Sequence, residues 1–133
     1  MISIERGVPA DPRLPLTQRE MTALLTRLLE ALGLSGDLNL ALVDDAAMAD
    51  LNRRHLGCSG PTNVLAFPSE EEGSLGEIAL SPAACLREAR LYGQDPVLHL
   101  ARLLAHALLH LAGLDHGPEM EALTEAAAAQ ALA

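Results

Sequence analysis

The sequence predicts an α+β domain in which a small mixed sheet of about four strands is packed with helices. Three observations predict it. Apolar residues recur at helical spacing in some stretches and alternate in others, and the two patterns interleave along the first two thirds of the chain. Ser81-Pro82 and Asp95-Pro96 each pair an N-cap residue with a proline suited to the first helical turn. The last third is rich in Ala and Leu and has few breakers, which favours helix.

Taken in order, Met1–Glu5 alternates weakly and suits a short edge strand, and Pro9, Pro12 and Pro15 hold the next segment in an extended turn. From Thr17 to Leu32 the set Met21, Leu24, Leu25, Leu28, Leu29 and Leu32 lies on one helical face, with Gly33 as the C-cap. Leu38, Leu40 and Leu42 alternate with Asn39 and Ala41 in a strand ending near Val43. Asp44 or Asp45 then caps a short helix through about Arg54. Pro61–Pro68 reads as a strand framed by prolines, and Leu75–Leu80 as the returning strand of a hairpin after Gly73. Ser81 opens a helix running to about Tyr92, and Asp95 opens the one that carries the first histidines of the C-terminal half. A terminal helix begins near Pro118 and is expected to fray in the Ala-rich tail. The order is β-α-β-α-β-β-α-α-α.

At 133 residues, the chain is expected to be one domain spanning 1–133, because a split would leave pieces too small for a sound core. Hydrophobic residues make up 50% and aromatics 2%, so the core is built from aliphatic side chains. The net charge is −9, with 9 basic residues, all Arg, against 18 acidic ones. That balance argues against diffuse electrostatic capture of nucleic acid and leaves room only for a local arginine patch. Cys58 and Cys85 fall in no CxxC spacing and are expected to be reduced thiols. No signal-peptide layout and no stretch of about 20 apolar residues is present, so a cytoplasmic protein that engages no membrane is expected.

The chemistry concentrates in His106-Ala-Leu-Leu-His110-Leu-Ala-Gly113-Leu-Asp115-His116. Residues four apart on a helix differ by only about 40° around its axis. His106 and His110 therefore project from one face, a turn apart. Gly113 stands where the helix should stop in a left-handed residue, and the chain then folds back to deliver His116 from a third direction. Three imidazoles with an open position form a catalytic metal site rather than a closed structural one, most simply one zinc per chain, with nickel, cobalt or manganese as substitutes. The spacing is also that of HExxHxxGxxH peptidases. Their general base follows the first histidine, and here that position is Ala107, which takes no proton.

These residues resemble the YbeY family of bacterial endoribonucleases, whose signature is His-Gly-x-Leu-His-Leu-x-Gly-Tyr-Asp-His; Ala107 and Leu114 replace its commoner Gly and Tyr. Leu51-Asn52, Gly57 and Pro61-Thr62-Asn63-Val64-Leu65-Ala66-Phe67-Pro68 match a second family segment, and Leu75-Gly76-Glu77-Ile78-Ala79-Leu80-Ser81 a third. The resemblance implies metal ligation by His106, His110 and His116. It also implies a single-strand-specific endoribonuclease that acts in 16S rRNA 3′-end maturation and ribosome quality control. The expected partners are single-stranded or ribosomal RNA and ribosomal particles or an assembly protein, and not DNA. The departure is Leu56, where the family has an arginine thought to serve phosphate binding or catalysis.

The candidate catalytic residues beyond the ligands are Asp115, Arg53, Arg54 and His99. Asp115 is placed to orient a ligand histidine, assist proton transfer or cap the last helix. Arg53 or Arg54, with Arg87 and Arg90 behind them, would supply charge to a phosphoryl group. His99, seven residues before His106 and on roughly the same face, is a candidate proton shuttle; His55 is a weaker one. Thr62 and Asn63 are placed to line a cleft, and Met120 to pack the last helix. Two alternatives stand beside the nuclease: a metal-binding, ribosome-associated factor with weak or no nuclease activity, and a peptidase-like metallohydrolase of another substrate.

Overall fold

The computed structural model describes residues 1–9, 14, 17–56 and 62–133; Pro12, Pro15, Gly57, Cys58 and Pro61 lie outside the described residues, as does the Leu56 side chain. The elements follow the expected order: β1 (Ile2–Arg6), α1 (Gln18–Leu32), β2 (Asp37–Leu42), α2 (Asp45–Leu56), β3 (Val64–Pro68), β4 (Ser74–Leu80), α3 (Pro82–Leu91), α4 (Pro96–Leu111) and α5 (Pro118–Ala131). The four strands form one mixed sheet in the order β1-β2-β4-β3. The first three are parallel neighbours, and β3 runs antiparallel to β4 at the edge.

Leu38, Leu40 and Leu42 put the alternate side chains of β2 into the core, paired with Gly76, Ile78 and Leu80 of β4. Against this face pack Leu24, Leu25 and Leu28 of α1 and Leu100, Leu104 and Leu108 of α4, all 1% exposed or less. Each such leucine contributes roughly 1.5–3 kcal/mol by leaving water, and together they fix α4 rigidly against the sheet. Gly76 is required by close approach: at φ +130° a Cβ there would collide with the Phe67 carbonyl of β3.

The helix starts are capped as the residue types demand. Thr17 and Glu20 close a reciprocal capping box on α1. Ser81 Oγ accepts from Ala84 N–H at 3.1 Å, and Asp95 Oδ2 from Leu98 N–H at 3.0 Å. The tail departs from expectation. α5 continues to Ala131 instead of fraying, because Ala127, Ala128 and Ala131 are small enough to bury against α1 and α4. Arg27 Nε also donates to the Ala131 carbonyl at 2.7 Å and satisfies one of the orphan acceptors at the helix end. No helix among the described residues is long and apolar enough to cross a membrane.

Candidate metal centre

α4 buries Ala105, Ala107, Leu108 and Leu109 and leaves His106 and His110 half-buried at the edge of the core. After Leu111 the chain turns through Gly113, whose φ of +92° is the left-handed conformation expected there. Gly113 N–H donates to the His110 carbonyl at 3.0 Å and Leu114 N–H to the Leu109 carbonyl at 3.0 Å, closing the helix end and swinging His116 back toward α4. The three rings converge, with centroids 4.6 Å (106–110), 4.6 Å (110–116) and 5.0 Å (106–116) apart. One ligand nitrogen from each lies within 4.8 Å of the others, and the Nε2 atoms of His106 and His110 are 3.1 Å apart. This is the donor set of a metal site. Burial pushes the His106 imidazole below its ordinary range, and the rings of His110 and His116 push it further, so its nitrogen lone pair is free to coordinate.

The cluster opens on a cleft of about 730 Å³ between α4 and the edge strand β3, lined by Thr62, Asn63 and the β3 residues on one side and by the three histidines on the other. His55 lines the same cleft, its ring 4.8 Å from that of Phe67. On the far side of His106, Met120, Glu121, Thr124 and Glu125 of α5 line a second cavity of about 430 Å³ with His106 and His116.

His99 lines a third cavity, of about 490 Å³, together with His106. Both its ring nitrogens are engaged: Nε2 meets Glu88 Oε1 at 3.1 Å and Nδ1 meets Gln94 Oε1 at 3.1 Å. Arg102 donates to the same Gln94 oxygen at 3.3 Å, which fixes that amide's orientation. Protein groups thus engage both ring nitrogens of His99. Glu88 also accepts from Asn63 Nδ2 at 3.0 Å.

The remaining candidates line none of the three cavities that contain His106. Arg53 and Arg54 pair with Asp50 at 2.6 and 2.9 Å. Arg87 is held by Asp45 at 2.7 Å and, through Asp45, joined to Ser81. This contact with Arg87 holds the Asp45 carboxyl below the usual carboxylate range. Arg90 is exposed at the end of α3. Asp115 is exposed and has no hydrogen-bond partner among the described residues. It does not cap α5, which begins at Gly117 without a side-chain cap. Cys85 is a buried free thiol, pushed up to about 12 by desolvation and by Glu88, and is inert.

The sequence reading passed over Glu88, Gln94, Glu121 and Glu125. Only Glu121 and Glu125 carried a signal, their place about a helical turn apart on α5 beside Thr124.

Comparison with known proteins agrees with this geometry. The sequence model of the family described as Endoribonuclease YbeY matches residues 12–132. An endoribonuclease YbeY of Oleidesulfovibrio alaskensis is 42% identical, over 94% of this chain and 89% of its own. One of Nitratidesulfovibrio vulgaris is also 42% identical, over 91% and 88%. The solution structure of TM1509 from Thermotoga maritima superposes with a TM-score of 0.68 at 28% identity, over 98% of this chain and 89% of that one.

Proposed function

The chain belongs to the YbeY endoribonuclease family, and from that premise we propose that it is a zinc-dependent endoribonuclease specific for single-stranded RNA. Its place is 16S rRNA 3′-end maturation and ribosome quality control in the cytoplasm, on ribosomal particles or with an assembly protein, through one domain spanning 1–133. The observation that carries the reading is the convergence of His106, His110 and His116 at the wall of an open cleft. Zinc fits the donors. Three neutral imidazoles are its usual catalytic set, and the 3.1 Å between two ring nitrogens is close to the roughly 3.3 Å that bonds of about 2.0–2.1 Å to a tetrahedral ion would set.

Bound there, the ion supplies an activated water and an electrophile for a phosphoryl oxygen. The protein's own residues do the rest. α4 and the Gly113 turn hold the three rings in place, while β3 walls the cleft and keeps the strand beside them. Ala107 is buried and offers no carboxylate, so a peptidase mechanism of the HExxH kind has no base at its customary position. Charge on the phosphoryl group falls to an arginine; Arg53 and Arg54, 70% and 61% exposed, are the proposed donors, each leaving Asp50 for a phosphate. Asp115, next to His116 and unpaired among the described residues, is the proposed proton acceptor. His99 acts as a positioning residue on the groove beside His106.

The second reading, a ribosome-associated factor with weak nuclease activity, is favoured by one observation: Arg53, Arg54, Arg87 and Arg102 are each tied to a carboxylate. The test is cleavage of single-stranded and duplex RNA by zinc-loaded and zinc-stripped protein. The nuclease reading expects cleavage of the single strand only, lost on stripping and restored by zinc. Cleavage unchanged by verified metal removal would overturn it, and no cleavage in any state would favour the second reading.

A further inference from the structure

The cavity that joins Tyr92 to His106 has a chemistry unlike that of the cleft along β3. Tyr92, the single tyrosine of a chain without tryptophan, is not spent on the core: it is 62% exposed at the end of α3 and lines this cavity. One exposed ring is ordinary on any surface. What makes this one informative is that it lines a groove of about 490 Å³ that His106 of the histidine cluster also lines.

The wall of that groove is already built. Asn63 donates to Glu88, Glu88 and Gln94 engage the ring nitrogens of His99, and Arg102 bridges Gln94 to Glu125, with its Nε–H donating at 2.7 Å. Arg102, the one arginine lining the groove among the described residues, is paired with Glu125, so it is not free for a phosphate. The groove offers an exposed aromatic ring, a polar wall held by its own hydrogen bonds, and the Gln94 amino group, which has no partner among the described residues. Those features suit a neutral planar ring that stacks and accepts a hydrogen bond.

We propose that the groove between Tyr92 and His106 is a base subsite, in which one unpaired nucleobase flanking the scissile phosphodiester stacks on the Tyr92 ring. The proposal rests on the nuclease reading and adds a reason for single-strand preference: a base held in a duplex cannot turn its face to the ring. The backbone N–H groups that close α3 at Tyr92 do not involve the ring, so replacing it leaves the helix end intact.

The absence of tryptophan makes the test direct, because emission excited in the tyrosine band comes from Tyr92 alone. Zinc-loaded protein is titrated with adenosine hexanucleotide, uridine hexanucleotide and an abasic ribose-phosphate hexamer, with the oligomers recovered to verify that they are intact. The subsite expects saturable quenching by both base-bearing oligomers, stronger with adenosine, and none with the abasic one. Tyr92→Leu should bind the adenosine oligomer about tenfold more weakly or worse, and Tyr92→Trp should restore binding. Equal affinity of wild type and Tyr92→Leu with unchanged emission would overturn the subsite even if zinc-dependent cleavage persists, and would leave the groove to a protein partner. Loss of zinc-dependent cleavage from the wild type would overturn the nuclease reading instead. The emission titration, which needs no turnover, still decides whether a base seats there.

Discussion

Two stretches of α4 carry histidines on nearly the same face and use them in opposite ways. Near its start, His99 faces Glu88 and Gln94, and both of its ring nitrogens are engaged. Near its end, His106 and His110 turn Nε2 toward Nε2, with His116 closing the group, and no carboxylate touches any of them among the described residues. A ring whose two nitrogens are both engaged by neighbouring side chains is held in place by the protein. A group of rings that face one another, with no carboxylate beside them among the described residues, could hold a metal ion between them. Seven residues of one helix thus separate a histidine held by protein partners from one in a cluster that could hold a metal, and what distinguishes them is the chemistry of the elements packed opposite.

The largest expected effect breaks one end of that comparison and spares the other. His110→Ala should reduce zinc to background by elemental analysis, while His99→Ala keeps one zinc per chain. The cost of His99→Ala should instead be about 1–3 kcal/mol of unfolding free energy in a denaturant titration, since Glu88 is left half-buried with Asn63 alone. Equal, stoichiometric metal in both variants would erase the distinction. Next in size is Gly113→Val. A valine at φ +92° meets no neighbour but carries backbone strain on the order of 1–3 kcal/mol, enough to weaken zinc binding about tenfold by competition with a chelator. Unchanged affinity would mean that the turn does not place His116.

Leu56→Arg restores the family's cationic residue and should raise cleavage of single-stranded RNA several-fold at constant zinc content; guanidinium gives phosphate donors that leucine lacks. A flat rate would show that another arginine already fills the role. The smallest effect is at Asp45. Its carboxyl is depressed by Arg87, so the pair stabilises the fold fully above the unfolded value near 3.8 and loses that contribution as pH falls through the lower folded value. Arg87→Gln should therefore cost at most about 1 kcal/mol at neutral pH, and the difference from wild type should close in acid.

Element order was legible because periodicity reports faces: Leu38, Leu40 and Leu42 alternate, and all three are buried. The triad was legible for the same reason, since helical spacing and one glycine suffice to converge His106, His110 and His116. What periodicity does not carry is partnership between elements. Nothing local to Glu88 or Gln94 marks them as the partners that hold His99. The pairing of Arg53 and Arg54 with Asp50 was legible from their spacing of three and four along α2, but nothing there announces that His55 reaches the cleft beside Phe67. The Ala-rich tail misled because Ala has high helix propensity and little side chain to signal burial; its value lies in letting α5 approach α1 and α4 closely.

The most direct measurement is X-ray absorption at the zinc edge of the loaded, full-length protein. The account predicts a shell of nitrogen or oxygen at about 2.0–2.1 Å, with outer-shell scattering from three imidazole rings that drops by one ring's share in His116→Ala. A sulfur shell at about 2.3 Å, which would bring in a cysteine, or a signal unchanged by His116→Ala, would contradict it.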